Sequence, residues 1–110
     1  MKIGLDIMSG DNAPLSNING AIRYVKNSIS KDNSLVLYGS ENIIKNNSNL
    51  LKKYSKRIST FVTTDIITME DNPALSFKNK RNSSMIRIID DMKSNIVNAA
   101  VSAGNTCALL

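Results

Sequence analysis

The chain has 110 residues, of which 42% are hydrophobic and 21% charged, and it carries a net charge of +5. That balance excludes a disordered tail, a collagen-like chain and a coiled coil, and leaves one small globular domain or part of one. A single cysteine and no histidine exclude a disulfide framework and a zinc cluster, while the excess of positive charge favours an acidic partner.

The opening apolar stretch is too short, and too soon broken by Asp6 and Asp11, to read as a signal peptide or a membrane span. Ile3 to Met8 instead predicts a buried, central strand feeding the turn Ser9-Gly10-Asp11. From Asn17 the residues Ile18, Ala21, Ile22, Val25 and Ile29 recur at helical spacing, with Arg23, Lys26 and Asn27 on the far side. Ser34 to Gly39 predicts a second strand. Ser40 then caps a helix carrying Ile43, Ile44, Leu50, Leu51 and Tyr54, whose middle, Lys45 to Asn49, is weakly helical.

Ile58 to Thr64 is β-branched and apolar enough for a third strand. Asp65 to Arg81 lacks periodicity and reads as an excursion with about one helical turn. Ser83 or Ser84 caps a further helix in which Met85, Ile88, Ile89 and Met92 share a face while Arg87, Asp90, Asp91 and Lys93 face water. Ile96 to Ser102 closes the series as strand four. Strands alternating with helices predict an α/β fold with a mostly parallel sheet covered on both faces.

In such a sheet ligands collect at the carboxyl ends of the strands. Two of those ends are unusual: Ser9-Gly10-Asp11-Asn12-Ala13-Pro14, and Ser102-Ala103-Gly104-Asn105-Thr106. Small residues let backbone approach an anion, and the first free amides of a helix attract negative charge. On spacing alone the second loop reads first as a plain helix start capped by Asn105 or Thr106, with Gly104 supplying the turn, and only second as an anion site. It is neither a Walker loop nor a dinucleotide fingerprint, which removes a flavodoxin-like nucleotide binder. Asp6 and Asp11 have no third ligand nearby, so Asp11 reads as a turn former and Asp6 as an acceptor for backbone amides.

Lys78, Lys80, Arg81 and Arg87 surround the helix start at Asn82-Ser83-Ser84, as an anion site or as a solvated basic loop. Cys107 has no histidine to activate it and reads as a space filler. Aromatic residues are only 5%, with no basic run between them, which argues against nucleic acid.

Taken together, KIGLDIMSGDNAP, NPALSFKNKRNSSM and VSAGNTCALL resemble, in order and at compatible spacing, three motifs of the bacterial acyl-carrier-protein:phosphate acyltransferase family. The likeness covers the whole chain, as the N-terminal third of a single domain. It implies a three-layer α/β/α sheet of the Rossmann-like, isopropylmalate dehydrogenase-like kind, truncated here, in a cytoplasmic homodimer that can sit peripherally at the inner face of the membrane. The implied reaction moves a fatty acyl group reversibly from acyl carrier protein to inorganic phosphate, and a membrane acyltransferase takes the acyl phosphate onward for phospholipid synthesis.

By the same resemblance Ser102, Gly104, Asn105 and Thr106 hold phosphate. Lys78, Lys80, Arg81, Ser83 and Ser84 meet phosphate or the acidic carrier, and Gly10, Asp11 and Asn12 form the first-strand loop. No metal or organic cofactor is implied, and no catalytic residue is assigned. Ser9, Asn12, Lys78 and Cys107 depart from the family's usual glycine, histidine, arginine and glycine. Asn12 cannot transfer a proton as a histidine does, and lysine loses the two-pronged grip of arginine on phosphate. The competing expectation is a non-catalytic α/β remnant or a small module that binds an acidic partner.

Overall fold

Successive side chains of a strand leave on opposite faces, so a strand covered on both sides needs apolar or small residues throughout. Ile3, Gly4 and Leu5 meet that demand within β1 (Lys2–Asp6), with Lys2 exposed at its start and the buried Asp6 at its end. The computed structural model describes residues 1–28, 32–64, 72, 75 and 82–103. Within them the order continues as α1 (Leu15–Asn27), β2 (Ser34–Gly39), α2 (Glu41–Asn46), α3 (Ser48–Lys52), β3 (Ile58–Val62), α4 (Ser84–Lys93) and β4 (Ala99–Val101).

All four strands are parallel, in the order β3-β2-β1-β4, so β1 is central as its sequence predicts. Ile3, Leu5 and Ile7 face the core shared with α1, α2 and α3, where Ile18, Ala21, Ile22, Val25, Leu35, Leu37, Leu51 and Ile58 are buried. Gly4 faces the other way. A Cβ there would lie 3.0 Å from Ile88 and 3.5 Å from Val97, which puts α4 on the opposite face and makes three layers.

Several boundaries differ from the sequence reading, each for a local reason. β1 stops at Asp6, and α1 begins two residues before Asn17, directly after Pro14, whose fixed φ suits a helix start. The predicted second helix breaks into α2 and α3 at Asn47, whose side-chain amide donates to the Ile43 carbonyl at 2.8 Å. β3 ends at Val62, and β4 is confined to Ala99–Val101. α4 ends in a Schellman turn: Asn95 has φ 62°, its N–H donates to the Met92 carbonyl, and Ile96 N–H donates to the Asp91 carbonyl. That turn carries Ile96 out to 55% exposure instead of into a strand.

One face of α4 needs a larger correction. Asp91, expected to face water, is buried, and Met92, expected in the core, is exposed. Ser84, Ile88 and Asp91 share the sheet-facing stripe, and the Tyr38 hydroxyl donates to Asp91 Oδ2 at 2.6 Å. Ile29, most of the 65–81 excursion and Cys107 lie outside the described residues.

Gly39 ends β2 against a side chain that cannot yield. A Cβ there would lie 2.6 Å from Ile7 Cγ1, and Ile7 is fully buried. Gly39→Ala is expected to cost about 1–3 kcal/mol by overpacking, read from the urea midpoint. An unchanged midpoint would show that the β1–β2 layer is looser than drawn.

Candidate functional site

From β1 the chain moves to β2 and β3 on one side and returns to place β4 on the other side. The carboxyl ends of β1 and β4 therefore flank a topological switch point, the place where open parallel sheets bind ligands. The loop after β1 and the residues after β4 meet there. Gly10 has φ 105°, a conformation that favours glycine, and a Cβ on it would lie 3.3 Å from the Ala103 Cβ.

Asp6, the last residue of β1, is 1% exposed. Its Oδ1 accepts from the Met8 N–H at 2.9 Å and from the Ser84 hydroxyl. Its Oδ2 accepts from the Ser9 hydroxyl at 2.5 Å and the Ser102 hydroxyl at 2.8 Å. One carboxylate thus joins the loop after β1, the first turn of α4 and the end of β4. A buried carboxylate is tolerated only when it is hydrogen-bonded in this way. Asn17 on α1 adds a further tie by donating its side-chain amide to the Ser9 carbonyl at 2.9 Å.

The start of α4 is fixed separately. Ser83 is the cap, its Oγ accepting from the Ile86 N–H at 3.3 Å. Asn82 donates its side-chain amide to Thr64 Oγ1 at 2.8 Å, and its carbonyl accepts from the Thr64 N–H at 3.1 Å. Thr64 and Asn82 are therefore clamped together beside the carboxyl end of β3. Below this clamp, Arg87 lies over the Phe61 ring at 5.1 Å and reaches Asp91 at 3.9 Å, and Phe61 stacks on Tyr38 at 5.3 Å. Burial, and then the Asp91 carboxylate, push the Tyr38 phenol above its ordinary pKa.

Of the site residues that the resemblance implies, Gly10, Asp11, Asn12, Ser83, Ser84 and Ser102 are described. Gly10 and Ser102 lie at the meeting of the two loops, Ser84 reaches the same carboxylate, and Asp11 and Asn12 are exposed. Lys78, Lys80, Arg81, Gly104, Asn105 and Thr106 lie outside the described residues. Asp6 accepts one backbone amide, from its own loop, and three hydroxyls, so its part as a junction and that of Asn17 go beyond the sequence reading. The available signal was an acidic residue at the end of a strand otherwise fit for burial.

Among the described residues no group of three or more His, Cys, Asp or Glu side chains is placed to hold a metal ion. No helix among them is long and apolar enough to cross a membrane.

Comparison with known proteins supports the resemblance along the whole chain. The chain is 40% identical over 110 residues to a phosphate acyltransferase of Fusobacterium nucleatum, covering all of this chain and 32% of that protein. It is 39% identical over 113 residues to the phosphate acyltransferase of Dictyoglomus thermophilum and 34% identical over 110 residues to that of Clostridioides difficile, with the same coverage. The chain thus spans about a third of the length of the curated relatives it matches. With residues 1–110 all matched by the family model described as fatty acid synthesis protein, the chain belongs to that family.

Proposed function

We propose that this chain is the N-terminal portion of a single phosphate acyltransferase domain and holds inorganic phosphate while a fatty acyl group passes to it from acyl carrier protein. The observation that carries the reading is the contact of the β1 and β4 loops at the switch point, with Gly10 against Ala103. Small residues on both sides leave backbone close to any anion lodged there. The names of the relatives support the chemistry.

In this reading the phosphate rests against Ser102, Gly104, Asn105 and Thr106. Lys78, Lys80 and Arg81 draw in the acidic carrier beside the Ser83-Ser84 helix start. Holding phosphate against a thioester turns an encounter into an internal attack, and amide donors steady the oxyanion that forms. The product is acyl phosphate, which a membrane acyltransferase consumes for phospholipid synthesis. The working form is a cytoplasmic homodimer that can lie peripherally on the membrane, and Asn12 is not its proton carrier.

A ligand that binds only the folded state raises the melting temperature. Orthophosphate at about 100 times its dissociation constant is expected to stabilise the chain by about 2.7 kcal/mol, whereas chloride at equal ionic strength leaves it unmoved. Equal effects of the two salts would remove the phosphate seat. Incubation with fatty-acyl carrier protein and radiolabelled orthophosphate tests the transfer, with label expected in acyl phosphate and one carrier thiol released for each phosphate incorporated. Thiol release that does not depend on added phosphate, with no label in an acyl product, would contradict the reaction.

A further inference from the structure

The face of the sheet that packs on α1 stays open toward β4. Val101 pairs in register with Leu5 and shares its face, yet it is 52% exposed. Between Val101 and α1 lies an open groove of about 330 Å³, floored by Ile3, Leu5 and Leu35. Gly20 and Ala21 form its helix wall, and a Cβ added at Gly20 would meet nothing within 4 Å. The two ends of the groove differ. Ser16 and Asn17 line the end nearer the loops, and Asn17 is the residue that donates to the Ser9 carbonyl at 2.9 Å. That end therefore opens beside the meeting of Gly10 with Ala103. At the other end, about 10 Å along α1, stands Tyr24, whose hydroxyl accepts from the Asn33 side-chain amide at 2.9 Å. A ring held by its polar tip makes a firm wall.

Resting on the acyl-transfer reading above, we infer that this groove holds the fatty acyl chain, its carbonyl carbon beside the loop after β1 and its methyl end against Tyr24. A fatty acyl group is polar only at its first carbon, and the groove is polar only at the end nearer the loops. The apolar floor and the helix wall take the hydrocarbon. Each methylene moved from water onto this lining is worth about fourfold in affinity. The gain ends where the chain reaches Tyr24, so that ring sets the preferred chain length.

The test titrates hexanoate, octanoate, decanoate and dodecanoate, below the concentrations at which they aggregate, into the unaltered chain, Gly20→Leu, Gly20→Ala and Tyr24→Ala. The methyl resonances of Ala21 and Val101 are the readout, and acetate controls for charge. Affinity is expected to rise by about fourfold per methylene and then level off, both methyls following one saturating curve. Gly20→Leu fills the open space and removes a glycine from a helix, so it folds as well as the unaltered chain and binds decanoate about tenfold more weakly. Gly20→Ala keeps the binding, and Tyr24→Ala moves the levelling point to longer acids. Affinity that does not depend on chain length, or that Gly20→Leu leaves unchanged, overturns the inference and leaves the groove as a surface for polypeptide. Labelled acyl phosphate from a chain whose groove takes no alkanoate overturns this inference alone. Groove binding without labelled product supports it and removes the reaction.

Discussion

Asp6→Ala is expected to destabilise the chain by about 3–4 kcal/mol, a large share of the 5–15 kcal/mol that holds a typical domain together. The substitution strips the acceptor from three hydroxyls and the Met8 N–H, all gathered around a side chain that is 1% exposed. Ser84 and Ser9 would be left buried with donors unmatched, and the loops after β1 and β4 would lose the group that joins them to α4. Asp6→Asn should cost less, because the amide keeps one accepting oxygen and the hydroxyls can turn to accept from its nitrogen. Asp11→Ala, at an exposed position of the same loop, is the control and is expected to stay within about 0.5 kcal/mol. Urea unfolding measures all three, and a loss at Asp6→Ala no larger than at Asp11→Ala would mean that the junction holds nothing.

Tyr38→Phe is the second substitution with a large expected cost, about 1.5–3 kcal/mol, because it removes the donor from a buried carboxylate. Tyr38 is fully buried, and its hydroxyl lies 2.6 Å from Asp91, which is 4% exposed. Asp91→Ala leaves the phenol without an acceptor and Arg87 without its carboxylate neighbour. The double substitution is therefore expected to cost less than the sum of the two, with a coupling of about 1–2 kcal/mol.

The same bond carries a pH dependence. The folded chain holds the phenol proton more tightly than the unfolded chain, through burial first and then the Asp91 bond and charge, against a smaller opposing pull from Arg87. Stability from this group is therefore complete below the unfolded pKa of about 10 and declines above it, by about 1.36 kcal/mol per pH unit. The decline appears as the difference between the unaltered chain and Tyr38→Phe, which lacks the group. Parallel curves for the two from about pH 9 to about pH 11 would contradict the bond.

The alternation of strands and helices was legible because each element carries its own period. Ile18, Ala21, Ile22 and Val25 mark the buried stripe of α1 without help from the rest of the chain. The places where β1 and β4 give way to loops were legible for a similar reason, since the apolar runs stop abruptly before Ser9-Gly10-Asp11 and at Ser102.

The junction between those loops was not legible, because its partners are distant in sequence: Ser84 and Ser102 reach Asp6 across 78 and 96 positions. The α4 face was misread for the same cause. Asp91 looks solvated on a helical wheel, and the hydroxyl of Tyr38, 53 positions away, together with the Arg87 guanidinium one turn earlier, offsets its burial. Periodicity records which residues are apolar. It does not record which polar residue has found a partner on another element.

In the proposed reading the meeting of the loops after β1 and β4 seats an anion through local geometry and not through net charge alone. The chain supplies its own control in the basic turn of Lys52, Lys53, Lys56 and Arg57, which precedes β3 at the opposite end of the sheet. Amide chemical shifts followed during a titration with orthophosphate separate the two possibilities. The amides of Met8, Ser9, Gly10 and Ala103 are expected to move together along one saturating curve while those of Lys52 to Arg57 stay in place. Shifts confined to Lys52 to Arg57, or no shift at Gly10 and Ala103, would contradict it.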